Sequence, residues 1–240
     1  MHKHGADTFL GNVWWLLDPL LQMVVYVVLV SVIARVSKPD YPLFVFCAIL
    51  PWKWFSTAVN DGISSVTSRE RIIKQVKFPT IVLPVSATLS GVVNFVFGFI
   101  PLFALIVLFF PDRLFVSLLL IPFVAVVQFV FSLAIAMFVA ATNVFFRDIA
   151  NVARHGLRLW FYLSPALYEL SDVSERSHTL GAIMSLNPWT PLFESYRAVI
   201  YEGTTPLWGP LAILLVISLV MLALATLFFK RLEPSFAKVL

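Results

Sequence analysis

The fold is decided by a long run without a charged side chain, IVLPVSATLSGVVNFVFGFIPLFALIVLFF, which covers Ile81–Phe110. A helix needs about 20 mostly apolar residues to cross the hydrocarbon core of a bilayer. The run therefore predicts a membrane-spanning helix, whose first residues could still lie at the membrane surface. Only Pro111-Asp112-Arg113 separates it from another long apolar run at Leu114–Thr142. The two runs predict a tight antiparallel hairpin of spanning helices.

The same criterion identifies further apolar stretches on both sides of this hairpin. The chain is 60% hydrophobic and 12% charged, whereas soluble domains average roughly 45–50% apolar and about 25% charged residues. One stretch, Leu157–Leu170, is short and contains Pro165, which predicts a broken or tilted span. We predict an all-α membrane protein, a single domain over residues 1–240, with six transmembrane helices at Val13–Ile33, Tyr41–Val59, Ile81–Phe110, Leu114–Thr142, Leu157–Leu170 and Leu207–Phe229.

Lysine and arginine are unevenly distributed among the segments that connect the predicted spans. If the amino terminus is inside the cell, the inside segments hold most of them, and this bias is typical of cytoplasmic loops. We therefore expect both termini in the cytoplasm. The longest outside segment, Ser171–Pro206, contains Trp189 and several other apolar residues. It predicts short re-entrant helices between spans five and six, because broken backbone at membrane depth must be buried in protein or line a cavity.

A short basic segment lies between the second and third predicted spans, at Arg69–Pro79. It carries four positive charges and one negative charge, so it must lie at the membrane surface or project from it. One interpretation is an ordinary cytoplasmic loop whose charges set the topology. The other is a short helix that docks into a soluble partner. Ile72, Ile73 and Val76 fall at roughly helical spacing, and Phe78-Pro79 would end such a helix.

The sequence contains no recognisable catalytic or metal-binding motif. It lacks a nucleotide-binding GxxxxGKS/T loop, an HExxH motif and a GxSxG turn, its four histidines are dispersed, and Cys47 is its one cysteine. The net charge of +4 comes from residues that flank apolar runs, which indicates topology and not a nucleic-acid surface. Charged residues that could lie in the membrane are few: the candidates are Asp18, Lys53 and Glu169, each near a predicted span boundary, whereas Arg158, at the start of Leu157–Leu170, is counted with the preceding inside segment. This scarcity argues against ion coupling and predicts a transporter driven by a partner.

Short motifs occur in a specific order along nearly the whole chain. They are Leu10-Gly11-Asn12-Val13-Trp14, Leu50-Pro51-Trp52, Lys77-Phe78-Pro79, Phe146-Arg147-Asp148, Ser164-Pro165, Asn187-Pro188-Trp189-Thr190-Pro191, Tyr196-Arg197 and Phe229–Ala237. On these residues the chain resembles the membrane subunits of ABC-2 type exporters that carry O-antigen, teichoic acid or related surface polysaccharides. Members of that family usually have an amphipathic interface helix before the first motif, and the ten residues before Gly11 do not show its pattern.

The resemblance implies a subunit of the cytoplasmic membrane that works as a homodimer with two copies of a separate ATP-binding subunit. ATP and Mg²⁺ would be bound by that subunit, so no catalytic residue, cofactor or metal is expected on this chain. The substrate would be a lipid-linked polysaccharide. In the family, the loop between the second and third spans carries the coupling helix that docks on the ATP-binding subunit. It corresponds here to Arg69, Glu70, Arg71, Ile72, Ile73, Lys74, Val76, Lys77 and Phe78.

Aromatic and polar residues of the predicted spans suggest further roles. Tryptophan and tyrosine could form an interfacial belt at headgroup depth. They could instead line a channel on which sugar rings stack weakly, and the predicted channel residues are Trp14, Trp52 and Tyr168. Deep in spans three and four, Asn94 and Gln128 predict hydrogen bonds between helices. Small residues recurring every four positions predict a close-packing face on the fourth span, formed by Ser132, Ala136 and Ala140.

Three alternative functions stay open at this point. Within the family, the chain could belong to an exporter of a small molecule or a lipo-oligosaccharide. A membrane-embedded glycosyltransferase or glycan polymerase is disfavoured, because the acidic residues outside the membrane form no tight pair that could hold a metal–sugar phosphate. A secondary transporter is disfavoured by the sparse charge near the membrane midplane.

Overall fold

A computed structural model describes the backbone of residues 14–33 and 38–240 and the side chains of residues 17–31 and 38–240. These residues form helices joined by short turns, and no β-strand occurs among them. Short 3₁₀ turns cover Thr67–Arg69, Pro111–Arg113 and Val116–Leu120, and π-helical turns cover Val28–Ile33 and Ala198–Glu202. The α-helices are α1 (Trp14–Val27), α2 (Tyr41–Ser65), α3 (Glu70–Gln75), α4 (Val82–Phe109), α5 (Ile121–Phe145), α6 (Ile149–Tyr162), α7 (Leu170–Arg176), α8 (His178–Ser185), α9 (Trp189–Arg197) and α10 (Trp208–Val239).

Four segments of the described chain are long and apolar enough to cross a membrane. They are α2, α4, α10 and the unit Val116–Phe145, which joins a 3₁₀ turn to α5. They confirm four of the six predicted spans. α2 and α10 continue past the predicted ends, to Ser65 and Val239, because polar side chains need not end a helix. The apolar part of the first helix, Leu17–Ser31, is shorter than these four.

The fifth predicted span differs from the structure. α6 begins before Leu157, at Ile149, and ends before Pro165. A proline has no amide proton and disfavours helical backbone at the residue before it, which explains the break. The 14 residues of α6 rise about 21 Å, less than the roughly 30 Å of the hydrocarbon core. α6 alone therefore does not cross a bilayer, and the chain continues into the short helices α7, α8 and α9.

α2 lies at the centre of the bundle. It is buried along most of its length and packs against α1, α4 and α5, while α10 packs along α5. The outward faces of α4, α10 and the turn before α5 are apolar, with exposed side chains that include Phe109, Leu119 and Leu227. Helices that face lipid need no polar surface, because lipid tails are as apolar as leucine. α2 is therefore the central helix of the bundle, with α1, α4 and α5 around it.

The turn between α4 and α5 confirms the predicted tight hairpin. It consists of Pro111–Arg113 and a few further residues before Val116. The Arg113 guanidinium donates to Asp40 Oδ2 at 2.8 Å and to the Tyr201 carbonyl at 2.8 Å. These bonds tie the hairpin to the residue before α2 and to the π-helical turn after α9.

The small residues predicted on the fourth span lie on a buried face of α5. Ser132, Ala136 and Ala140 are fully buried, so the predicted close-packing face is confirmed. On α2, Gly62 faces Ala136, and a Cβ added at position 62 would lie 2.9 Å from the Ala136 Cβ. The absence of a side chain at Gly62 is what allows the two helices to approach this closely.

A Gly62→Val variant is expected to unfold at a lower temperature than the wild type. The added side chain would meet the Ala136 backbone, whose Cα is 3.3 Å from the position of the new Cβ. A helix must then shift, and overpacking of this kind costs about 1–3 kcal/mol. Thermal unfolding in detergent measures the effect. Gly209→Val is the matched control, because the space around Gly209 is open; equal unfolding temperatures for both variants would contradict the close α2–α5 contact.

Candidate functional site

The predicted docking segment follows α2 directly. The 3₁₀ turn Thr67–Arg69 leads into α3, and α3 ends at Gln75, earlier than the predicted segment. The Val76 amide donates to the Ile72 carbonyl at 2.9 Å and closes the last turn, after which the backbone is extended. Pro79 keeps Phe78 out of helical backbone, and the extended backbone at Val76 ends the helix before that point.

The apolar residues of this segment lie on two different faces. Ile72 is 50% exposed and Val76 is 56% exposed. Ile73 and Phe78 instead pack against a buried cluster that includes Phe229 of α10. From the sequence, both isoleucines were expected to face the partner. Of these two, the structure leaves Ile72 exposed and packs Ile73 against the cluster.

Positive side chains surround the two exposed apolar residues. Arg71, Lys74 and Lys77 are all exposed. The Lys74 ammonium donates to Glu70 Oε1 at 2.6 Å and holds the pKa of that carboxyl below its usual value. The surface therefore combines a small apolar anchor with a surplus of positive charge, which suits a complementary acidic cleft.

The end of the segment is bonded to α10. The Thr80 amide and hydroxyl both donate to Glu233 Oε1, at 2.6 Å and 2.7 Å. At the other end, Arg69 Nη1 donates to the Ser65 carbonyl at 3.3 Å. The two ends of the segment are therefore bonded to α2 and to α10. Glu233 was not predicted as a site residue, although it lies within the motif Phe229–Ala237.

The predicted channel residues occupy different surroundings. Trp52 is buried among aromatic rings of α6 and α9, with centroid distances of 5.3 Å to Phe161 and 4.8 Å to Trp189. Tyr168 is half-buried after α6, and its hydroxyl donates to the Tyr162 carbonyl at 3.4 Å. The side chain of the third, Trp14, lies outside the described residues. These aromatic neighbours bury the Trp52 ring, so it has no face exposed on which a sugar could stack. The channel stays a prediction.

Arg197, the last residue of α9, bonds to the segment that follows α6. Its side chain is 3% exposed. Nη1 donates to the Pro165 carbonyl at 2.7 Å and to the Tyr168 carbonyl at 3.3 Å, and Nη2 donates to the Ala166 carbonyl at 2.6 Å. The guanidinium carbon lies 3.7 Å from the centre of the Phe44 ring, a cation–π contact. Arg197 thus satisfies the carbonyls that the break at the end of α6 leaves without helical partners.

Asn187 joins the same segment to the start of α9. Its Oδ1 accepts hydrogen bonds from Trp160 Nε1 at 3.0 Å and from the Trp189 amide at 3.1 Å. Its Nδ2 donates to Ser164 Oγ at 2.8 Å. The motifs Ser164-Pro165, Asn187–Pro191 and Tyr196-Arg197 are therefore neighbours in space, and they fix the broken backbone between α6 and α9.

The two polar residues predicted deep in the spans behave differently. Gln128 Nε2 donates to the Pro51 carbonyl at 2.8 Å, and its Oε1 accepts from the Tyr196 hydroxyl at 2.8 Å, so the predicted hydrogen bond between helices is confirmed. Asn94 forms no side-chain hydrogen bond within the described part of the chain. It lines a cleft of about 500 Å³ between α1, α2 and α4. The polar residues of this cleft are Asp18, Lys53, Thr57, Asp61, Ser90 and Asn94, and Lys53 is ion-paired with Asp18.

Among the side chains that the structure describes, no cluster of His, Cys, Asp and Glu could hold a metal ion. Two carboxylates predicted to lie at the outer end of the fifth span take part in local contacts. Glu169 is ion-paired with Lys38, and it caps α7 in a reciprocal arrangement with Asp172. Both carboxylates therefore stabilise the region where α7 begins.

Comparison with known proteins agrees with this architecture. Residues 4–201 match the family described as ABC-2 type transporter. The O-antigen export system permease protein RfbA of Myxococcus xanthus is 37% identical over 231 residues, which are 96% of this chain and 88% of that protein. Two proteins of the same name from Klebsiella pneumoniae are each 27% identical, over 99% and 98% of this chain and 90% and 89% of their own lengths. The chain is a multi-pass membrane protein, and it belongs to the ABC-2 type transporter family.

Proposed function

We propose that this chain is the permease subunit of an ATP-driven exporter that moves a lipid-linked surface polysaccharide across the cytoplasmic membrane. The observation that carries the proposal is its similarity over nearly the full length to three O-antigen export system permease proteins. The polysaccharide would be of the O-antigen, teichoic acid or capsule type. The chain itself makes and breaks no bond in this proposal, and ATP with Mg²⁺ is bound and hydrolysed on a partner subunit.

The exposed face of α3 supports docking of that partner. Ile72 and Val76 provide apolar anchors, and the neighbouring cations would set the register against acidic groups. Two ATP-binding subunits would contact two copies of this chain, one at each α3. When they close on ATP, they displace α3, and the bonds of Thr80 to Glu233 pass the displacement to α10.

The six-span topology is part of the proposal. α1 with its π-helical turn would be the first span, and α6 with the segment up to α9 would be a broken fifth span. Support comes from the buried bonds of Arg197, which satisfy the carbonyls at the break, as membrane depth requires. α7, α8 and α9 would then be the outer re-entrant region, with both termini in the cytoplasm.

The proposal predicts the composition of the complex. A tagged chain, purified from its native membrane in mild detergent, should bring down an ATP-binding subunit in about equal amount, as measured by mass spectrometry. Deleting the chain should remove a surface polysaccharide and leave its lipid-linked precursor inside the cell. Recovery of the chain alone, or with a glycan synthase, would contradict the ATP-driven mechanism. A normal surface polysaccharide with loss of a small exported molecule would favour the alternative exporter.

A further inference from the structure

The exposed face of α6 carries two arginines, Arg154 and Arg158, although the helix belongs to the membrane domain. Asn151, Arg154, His155 and Arg158 recur at helical spacing, and all four are exposed. The opposite face is apolar and packs inward through Leu157 and Phe161, which are buried. α6 is therefore amphipathic, although it belongs to the membrane domain.

Contacts of the helix place its last turn beside the middle of α2. Trp52 lies near the middle of α2, and its ring is 6.2 Å from Trp160 and 5.3 Å from Phe161. Arg158 precedes Trp160 by two residues, an axial rise of about 3 Å. It therefore lies close to the middle level of α2, a helix long and apolar enough to span the bilayer. A charged side chain at that depth is expensive in lipid and must meet water or a counter-charge.

The described part of the chain provides no carboxylate for these arginines. Arg154 donates to the Ala150 carbonyl at 3.1 Å and to Asn151 Oδ1 at 2.7 Å, both on its own helix. Arg158 has neither a hydrogen bond nor an ion pair with any described residue. Like charges four residues apart on a helix repel each other, so an anion between them would remove a repulsion and add charge-assisted bonds.

We propose that Arg154 and Arg158 bind the phosphate-containing link between lipid and glycan in the exported substrate; this inference rests on the proposed function. The two side chains start about 5–6 Å apart, which suits the two charged phosphates of a diphosphate. The guanidinium fork binds phosphate oxygens in pairs. α6 follows α5 and Arg147 at the end predicted to be cytoplasmic, so the site opens toward the leaflet in which a substrate made inside the cell is loaded.

The test uses the complex of this chain with its ATP-binding partner in nanodiscs of phosphatidylcholine. The probe is a polyprenyl diphosphate, and its retention is measured by native mass spectrometry. Arg158→Gln should weaken its binding about tenfold, the loss expected for one charge-assisted interaction. Arg154→Gln should weaken it less, because Arg154 also bonds to its own helix. The matched control is Arg231→Gln, an exposed arginine near the end of α10, which should leave binding unchanged.

Two results would overturn the inference. One is binding to Arg158→Gln as tight as to the wild type. The other is displacement of the probe by phosphatidylglycerol at equal concentration, which would mean that the arginines contact anionic membrane lipid in general. If Arg158→Gln does not assemble, two other measurements replace it. Arg158→Lys should bind the probe more weakly, because lysine lacks the guanidinium fork. Inorganic pyrophosphate should displace the probe from the wild-type complex. Unchanged binding in both would overturn the inference.

A cell-based measurement separates this inference from the proposed function. Cells that carry Arg158→Gln should display less surface polysaccharide, while the ATP-binding subunit still co-purifies with the chain. If deletion of the chain leaves surface polysaccharide unchanged, the proposed function fails. If deletion removes the polysaccharide but Arg158→Gln exports it at the wild-type level, only the phosphate site fails.

Discussion

An Arg197→Gln variant is expected to lose at least about 3 kcal/mol of its free energy of unfolding. The substitution removes the guanidinium that donates to the carbonyls of Pro165, Ala166 and Tyr168. Bonds to a charged donor contribute about 1.5–3 kcal/mol each, and buried carbonyls without a partner add a desolvation cost. Titration of the purified protein from mild detergent into SDS, followed by tryptophan fluorescence, measures the loss.

Two further variants determine whether the bonding geometry is responsible. Arg197→Lys keeps the charge but has no planar fork, so it should be destabilised by an intermediate amount. Arg176→Gln removes an exposed arginine of α7 and should change stability by less than about 0.5 kcal/mol. If Arg197→Gln matched Arg176→Gln, the carbonyls after α6 would have to be satisfied by something other than Arg197.

The spans could be predicted because the signal for them is local. Length and hydropathy suffice for α2, α4, α5 and α10, and the turn at Pro111 fixes the hairpin. α6 was misplaced for a physical reason. Its first half is amphipathic, so a hydropathy criterion starts the span at Leu157, eight residues after the helix begins. The break near Pro165 was predicted, because proline disfavours a continuing helix. The position of the segment after the break is set by buried hydrogen bonds, which depend on residues distant in sequence.

The candidate site could be located from the sequence but not resolved into faces. Adjacent isoleucines in a six-residue helix give no clear periodicity, and contact with α10 decides that Ile73 points inward. Arg197 was counted as an outside charge, since composition cannot distinguish a buried arginine from an exposed one. The available signal was the order of the motifs, which places Tyr196-Arg197 after Asn187–Pro191. The structure shows that both motifs bond to Ser164-Pro165.

Replacing Ile72 with aspartate should abolish coupling to the ATP-binding partner while leaving the membrane domain folded. Ile72 is half exposed and contributes nothing to the buried cluster, so the chain should unfold as the wild type does. A charged side chain at the centre of an apolar anchor typically costs 2 kcal/mol or more, which is roughly a 30-fold loss of affinity. Co-purification of the ATP-binding subunit and surface polysaccharide should both fall to near background.

The neighbouring residue provides the contrast that makes this test specific. Ile73→Ala should lower stability by about 1–2 kcal/mol through lost packing, and export should fall only as far as the amount of folded protein falls. Val239→Asp introduces the same charge at an exposed apolar residue near the end of α10, so it should neither unfold the chain nor release the partner. Wild-type export by the Ile72→Asp variant would show that α3 is an ordinary charged loop. Equal loss in Ile72→Asp and Val239→Asp would mean that added negative charge, and not the α3 anchor, weakens the complex.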